Sequence, residues 1–389
     1  MPTFNRAGFL SEAIESLLGQ TRPIDQIIIW DDGSTDGTQD FIAKNFKDTV
    51  TYFKSVNQGK SAALNNALTH ATGDYIWICD DDDIAALDAA ERLAAVLDNC
   101  PEIGLVSGSY QRFSDLDGKR IYSDAGYWPD LSTGSPLRHI LEDIFLFQHA
   151  TLVRKECYAQ VGPFNEALPR SIDYDMLVRL AVRFPVKVLD DVLFYQRKHD
   201  GVRGPASAQH AAAASDNHWA KNDRKIFVDL RNDVPLSIYT SMFQSQNAKL
   251  VQRAGLLQRG CVYARRNDWS NALLDFKDAS EMLASDPLTP LEVQICRRAV
   301  SGKHGVHPSA KDIDHLKHLK GLNPAGASIS RSLSRGVLWS IRQAMSDRDF
   351  ATFKRLTSLA LMLGIGRSNG GTHDEITERH MLPITAYNW

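Results

Sequence analysis

Four consecutive aspartates, Asp80 to Asp83, follow the apolar, aromatic run Tyr75-Ile76-Trp77-Ile78-Cys79. Such a run reads as a buried strand. Side chains alternate along a strand, so Asp80 and Asp82 are expected on one side at its carboxyl end. Two carboxylates there offer hard oxygen ligands to Mg2+ or Mn2+, a metal that keeps waters and shares its coordination with substrate phosphates. The plainer use of these residues is a solvated turn that opens a helix near Ile84, where acidic groups suit the helix dipole. Four in succession bring more mutual repulsion than a cap requires, and a cation is expected.

A second acidic cluster, Asp31-Asp32-Gly33-Ser34-Thr35-Asp36, ends the β-branched run from Ile27 to Trp30. It is not a calcium loop. Counted from Asp32, the twelfth position is Ala43, where a bidentate Glu is required. A tight turn with helix-capping residues fits better, and it places a carboxylate where a base N–H or a ribose hydroxyl can reach it. Gly59-Lys60-Ser61 has the tail of a phosphate-binding loop, but the glycine needed at position 54 is Lys54. Lys60 can still meet a phosphate, or stand as a surface lysine beside a helix start. Asp173 falls in the first turn of an expected helix, either as a cap or as a base for a hydroxyl nucleophile. His199 lies on a loop with Gly201 and Gly204 as hinges, the makings of a lid that delivers an imidazole to a metal or phosphate. His315 and His318 share helical spacing without an acidic or thiolate framework, and read as surface residues.

These groups need elements to hold them. Phe9, Leu10, Ala13, Ile14, Leu17 and Leu18 repeat at helical spacing. Val50 to Phe53 reads as a strand and Ser61 to Thr69 as a helix. Strand, acidic loop and helix in repetition predict a layered α/β domain with a mostly parallel sheet, in which ligands gather beyond the carboxyl ends of the strands. After about residue 204 the pattern turns helical. A helical region is expected over 205–300, a linker over 301–328, and a basic helical segment with a loose tail over 329–389. Arg265 to Trp269 and Asp347 to Phe350 look like turns between paired helices.

The chain has 389 residues, a formal net charge of −3 and 43% hydrophobic residues, which excludes a disordered or fibrous protein. The total hides an asymmetry. Residues 1–204 hold 20 basic and 30 acidic side chains, and the remainder 24 and 17. No apolar run approaches the roughly 18 residues a membrane span needs. The five cysteines, Cys79, Cys100, Cys157, Cys261 and Cys296, are widely spaced with no C-x-x-C pair. With no basic-then-apolar leader at Met1 to Arg6, they point to the cytoplasm.

Read in order, the motifs resemble the family 2 inverting glycosyltransferases of the GT-A fold, over about residues 2–203. The carriers are Pro2-Thr3-Phe4-Asn5-Arg6, the Asp31 to Asp36 turn, Asn57-Gln58-Gly59-Lys60-Ser61 with Ala63-Leu64-Asn65, Thr72-Gly73-Asp74-Tyr75 and the Asp80-x-Asp82-Asp83 group. Val161-Gly162-Pro163-Phe164-Asn165, Asp173-Tyr174-Asp175 and His199 complete the set. The resemblance implies a GT-A domain at 1–204, Rossmann-like in its nucleotide-sugar binding. Pro2, Thr3, Phe4, Asn5, Arg6, Asp31, Asp32, Lys60, Asp80 and Asp81 would bind the nucleotide-sugar. Asp82 and His199 would hold Mg2+ or Mn2+, and Asp173 would deprotonate the acceptor hydroxyl. The donor it favours is a UDP-sugar and the acceptor a glycan or a lipid-linked molecule. No nucleic-acid partner is expected, and Arg179 reads as structural.

Two departures stand out. The family usually has Glu before the base-like aspartate, and here that residue is Ile172. The family's first strand also precedes the Pro-Thr-Phe-Asn turn at which this chain opens, so a start further upstream and a gap in the core are expected. A non-catalytic scaffold with a degenerate transferase domain remains the competing reading of the residues alone. The basic helices around Arg331, Arg335, Arg342, Lys354 and Arg355 could rest peripherally on anionic lipid at the inner face of a membrane, or be a solvated or partner-binding face.

Overall fold

The computed structural model describes residues 1–124, 126–198, 215–364 and 375–389, in two compact units. The first comprises Met1–Asp130 with Ile144–Ser215, and the second Leu131–Asp143 with Asp216–Trp389.

The first unit begins β1 (Pro2–Thr3), α1 (Ala7–Leu18), β2 (Ile28–Asp31), α2 (Thr38–Asn45), β3 (Thr51–Lys54), α3 (Lys60–Thr69) and β4 (Tyr75–Trp77). Next come β5 (Ile84–Ala85), α4 (Ala89–Asn99), β6 (Leu105–Leu116) and β7 (Lys119–Ser123). Helix α5 (Pro136–Glu142) belongs to the second unit. The chain then returns for β8 (Thr151–Arg154), α6 (Lys155–Val161), α7 (Ile172–Arg183) and β9 (Val186–Arg197).

Two sheets result. β1, β2 and β3 pair in parallel in that order. The second sheet runs β4-β8-β6-β9-β5 with β7 on β6, and only its β6–β9 ladder is parallel. Apolar residues recurring at helical spacing bury one face of α1, where Leu10, Ile14 and Leu17 meet Ile29, Ile42 and Phe46. Leu93 and Leu97 of α4 do the same against Val106, Leu152, Leu193 and Phe194. A cavity of about 310 Å3 is lined by Met1, Ile27, Ile28, Tyr75, Trp77 and Cys79 among others.

The start of a helix near Ile84 is corrected to Ala89. Ile84 and Ala85 instead pair antiparallel with Tyr195 and Phe194 of β9, and backbone groups committed to a ladder cannot open a helix.

The second unit is helical: α8 (Ser215–Leu230), α9 (Leu236–Thr240), α10 (Ala248–Ala264), α11 (Trp269–Met282), α12 (Pro290–Arg298), α13 (Ala310–Leu322), α14 (Pro324–Ser346) and α15 (Phe350–Leu363). A short ladder joins β10 (Phe243–Gln244) to β11 (Thr377–Glu378). The 301–328 stretch read as a linker contains α13. Its start is a capping box, in which Ser309 and Asp312 satisfy each other's backbone N–H. The turns at Arg265 to Trp269 and at Asp347 to Phe350 do join consecutive helices. Among the described residues no helix is long and apolar enough to cross a membrane.

Candidate functional site

The parallel sheet of the first unit delivers its carboxyl ends to one place. Thr3 of β1 pairs with Asp31 of β2, so the turn after β1 lies beside the Asp31 to Asp36 turn. Side chains then tie the two together. Asn5 N–H donates to Ser34 Oγ at 2.8 Å, and Asn5 Oδ1 accepts from Thr35 N–H at 2.8 Å. Asp36 Oδ2 accepts from Ala7 N–H at 3.0 Å, which fixes the start of α1. Gly33 has φ +87°, and a Cβ on it would stand 2.9 Å from the Asn57 nitrogen, so only glycine fits this turn.

The two aspartates at the end of β2 do different work. Asp31 is fully buried, and its carboxylate accepts from Ser34 N–H at 2.7 Å and the Tyr52 hydroxyl at 2.5 Å. A ligand would reach it by displacing that hydroxyl. Asp32 accepts from the backbone N–H groups of Gln58 and Gly59, each at 2.8 Å, and so shapes the loop that presents Lys60. Burial leaves Asp32 above the ordinary carboxylate range in spite of those bonds.

Lys60 opens α3 and donates to Asp80 at 2.5 Å, while Arg6 pairs with Asp82. Strand β4 ends at Trp77, before the aspartates, so the strict alternation expected of Asp80 and Asp82 gives way to two partners reached from two different loops. Burial disfavours the charge on Lys60, but the Asp80 carboxylate outweighs it and raises the ammonium well above its ordinary value. Asp173 and Asp81 add to that attraction, so Asp173 belongs to the same electrostatic cluster. Burial, with Asp82 beside it, pushes Asp81 up to about 7. Asp80 is held below the usual range, because Lys60 outweighs its burial.

Asp173 is the second residue of α7, after Ser171 in the left-handed region with φ 57°. Burial raises its carboxyl above the ordinary value, against the pull of Lys60, which suits a group that must accept a proton. Arg179 holds the approach to this helix. It donates to Asp175 at 2.7 Å and to the carbonyls of Val161 and Pro163 at 2.8 and 3.0 Å, the structural part expected of it. Asn65 in turn bonds both backbone groups of Phe164, at 2.7 and 3.1 Å. The Asn57 to Asn65 and Val161 to Asn165 motifs thereby become one framework. His199 and the glycine-flanked stretch after it lie outside the described residues.

Sequence reasoning missed the layer beneath the aspartates. Arg197, at the end of β9, donates its backbone N–H to Asp83 Oδ1 at 2.8 Å and its Nε–H to the Asp82 carbonyl at 2.9 Å. Its remaining guanidinium nitrogens pair with Asp115 and Glu12. His149 sits 3.8 Å from Asp83 and stacks on Phe194 with centroids 5.0 Å apart. No local signal marks either residue, since their partners are 114 and 66 positions away; a lone arginine ending an apolar strand was the only cue.

The carboxylate oxygens of Asp80, Asp81 and Asp82 are hard donors of the kind a divalent cation takes. Among the described residues no group of three or more His, Cys, Asp and Glu is arranged to hold one. Two protein carboxylates with substrate phosphates completing the set is the habit of Mg2+ sites, so the residues fit a shared rather than a dedicated site.

A parallel sheet ending in these loops, continued by a second, mixed sheet, is an arrangement of the GT-A type. Residues 1–162 match the model of Glycosyl transferase family 2. An uncharacterized glycosyltransferase of Rickettsia felis (strain ATCC VR-1525 / URRWXCal2) is 28% identical over 217 residues, covering 51% of this chain and 33% of that protein. Chondroitin synthase of Escherichia coli is 26% identical over 202 residues, covering 51% of this chain and 28% of that protein. The chain spans a third or less of the length of these curated relatives. Among solved structures, S. aureus TarS 1–349 in complex with UDP-GlcNAc is similar in fold, with a TM-score of 0.50 and 15% identity, covering 97% of this chain and 98% of that one.

Proposed function

We propose that the chain transfers a sugar from a nucleotide-sugar, a UDP-sugar foremost, to a hydroxyl of a glycan or lipid-linked acceptor, with inversion, in polysaccharide biosynthesis. The observation that carries the reading is the pairing of Lys60 with Asp80 and of Arg6 with Asp82 on loops that follow β1, β3 and β4, with Asp81 and Asp173 in the same electrostatic cluster. The family match of residues 1–162, the synthase relatives and the UDP-GlcNAc bound by the TarS fragment support it.

In this reading the Pro2 to Arg6 turn and Asp31 embrace the nucleoside, the base N–H replacing the Tyr52 hydroxyl on Asp31. Asp32 holds the loop that aims Lys60. Lys60 and Arg6 leave their aspartates for the diphosphate, where fixed positive charge stabilises the departing group. Asp173 takes the proton of the acceptor hydroxyl as its oxygen attacks the anomeric carbon. The bond to the nucleoside diphosphate breaks on the opposite face, and one displacement inverts the centre. Mg2+ or Mn2+, held by Asp82 and His199, would supply further charge neutralisation on the diphosphate. All five cysteines are free thiols, in keeping with action in a reducing cytoplasm.

The test is a screen of UDP-, GDP- and dTDP-sugars with Mn2+, comparing the chain with Asp82→Ala. Turnover of one donor, lost in the variant, is expected. If no donor is bound or turned over by the chain, the enzyme reading fails and a scaffold takes its place.

A further inference from the structure

Helix α14 of the second unit carries a face that sugar transfer does not use. Its 23 residues contain no Asp or Glu. At about 100° per residue, Arg331, Arg335, Leu338, Trp339, Arg342 and Met345 fall within an arc of about 120°. The opposite side holds Ile329, Leu333, Val337 and Ala344, all buried. On the outer side Trp339 is 66% exposed, Met345 61% and Leu338 43%. Phe350, which begins α15, is 71% exposed, and Lys354 follows one turn later.

Single exposed apolar residues are ordinary, but four so close in sequence, interleaved with arginines, are not. The two carboxylates in the intervening turn bond neutral donors, and among the described residues neither forms an ion pair with an arginine of this face. Asp347 accepts from the Gln343 amide at 2.9 Å, and Asp349 caps α15 through Thr352 N–H at 3.0 Å. Among the described residues Arg335 and Arg342 have no ion pair, so the face keeps its positive charge.

The charge selects the occupant. A second copy meeting this face about a two-fold axis would set arginine against arginine, which is repulsive. An anionic bilayer offers phosphates to Arg335 and Arg342. It also offers a headgroup layer in which indole, Leu and Met side chains lose contact with water while arginine stems extend to the surface. We propose that this α14 face docks the chain on a membrane surface rich in anionic lipid. The inference is independent of the transfer reading, and its test needs no turnover.

The experiment is flotation of the full chain with vesicles of phosphatidylcholine alone or with about 30% phosphatidylglycerol, at about 0.1 M and about 1 M salt. Binding to the anionic vesicles alone, weakened by salt, is expected. Arg335→Glu with Arg342→Glu should lower the partition constant about 25-fold or more, at about five-fold for each cation lost. Trp339→Ser with Phe350→Ser should lower it about ten-fold by removing buried apolar area. Trp339, Arg342 and Phe350 are exposed and Arg335 is half-buried, so unchanged melting temperatures in both variants would show intact folds. Equal binding to both vesicle types, no binding by the unaltered chain, or full binding by the charge-reversed variant overturns the proposal. So does a concentration-dependent dimer in sedimentation equilibrium that Trp339→Ser abolishes, since the face would then be a contact between copies.

Discussion

The two units use charged side chains in opposite ways. In the first, Lys60 and Asp80 meet through one contact, with 44% and 36% of their side chains accessible, and Arg6 and Asp82 are half-buried. In the second, Arg253 reaches both oxygens of Glu292 at 2.7 and 2.8 Å and the carbonyls of Leu283, Asp286 and Pro287, with almost nothing exposed. Glu142 is similar, accepting from Arg298 at 2.8 Å and Gln258 at 2.9 Å beside Arg138. It is held far below the usual carboxylate range, because the arginines outweigh its burial. A single accessible contact can be traded for a ligand at little cost. A saturated, buried one cannot be broken without stranding a charge, so it holds the fold rather than the substrate.

The sharpest way to break this contrast is at Asp173. Asp173→Asn should leave donor affinity near its original value and lower the transfer rate by up to about 10⁴-fold. Equal rates in single-turnover assays would remove Asp173 from the proton-accepting role. Next, Arg253→Met strands the Glu292 carboxylate and should cost about 3–5 kcal/mol in urea unfolding of the chain. A cost under about 1 kcal/mol would mean that the buried network is dispensable.

A pH experiment probes the second unit further. Burial, with Arg138 beside it, lowers His139 to about 4 from its ordinary 6.5. Between those values the unfolded chain takes a proton that the folded one refuses, so stability should fall as the pH drops through that window. The loss is up to about 3 kcal/mol, and His139→Gln should flatten the profile. A slope unchanged by that variant would assign the effect elsewhere.

At the open site, Lys60→Met should weaken donor binding about ten-fold while changing stability by less than about 1 kcal/mol, as calorimetry and thermal melts would report. The reverse pattern would place Lys60 with the structural cations. Smallest of all, Arg342→Ala should shift stability by no more than about 0.5 kcal/mol, because the side chain is exposed and has no ion pair among the described residues.

Much of the first unit was legible in the residues. The Asp31 to Asp36 turn, the Lys60 helix start and the Asp80 to Asp83 loop lie after the strands β2, β3 and β4, because β-branched and aromatic runs end where aspartate and glycine begin. The helix expected at Ile84 failed for a reason no local pattern carries. Two residues there were claimed by the edge of β9, more than a hundred positions later. The linker expected at 301–328 failed differently. The Ser309 and Asp312 capping signal was present, but the surrounding Gly, Pro and Ser masked it.

By itself, the sequence determined which groups could do chemistry and on which loops they stand, because turn geometry and strand ends are set by neighbouring residues. Tertiary structure alone decided how those loops are held. It tied Asp32 to the Gln58–Gly59 backbone, set Arg197 and His149 beneath the acidic run, and gave residues 131–143 to the helical unit rather than to the sheets that flank them. Each of these joins residues far apart along the chain. Such contacts form only when the packed core has met the entropy of bringing them together, and a local reading contains no measure of that.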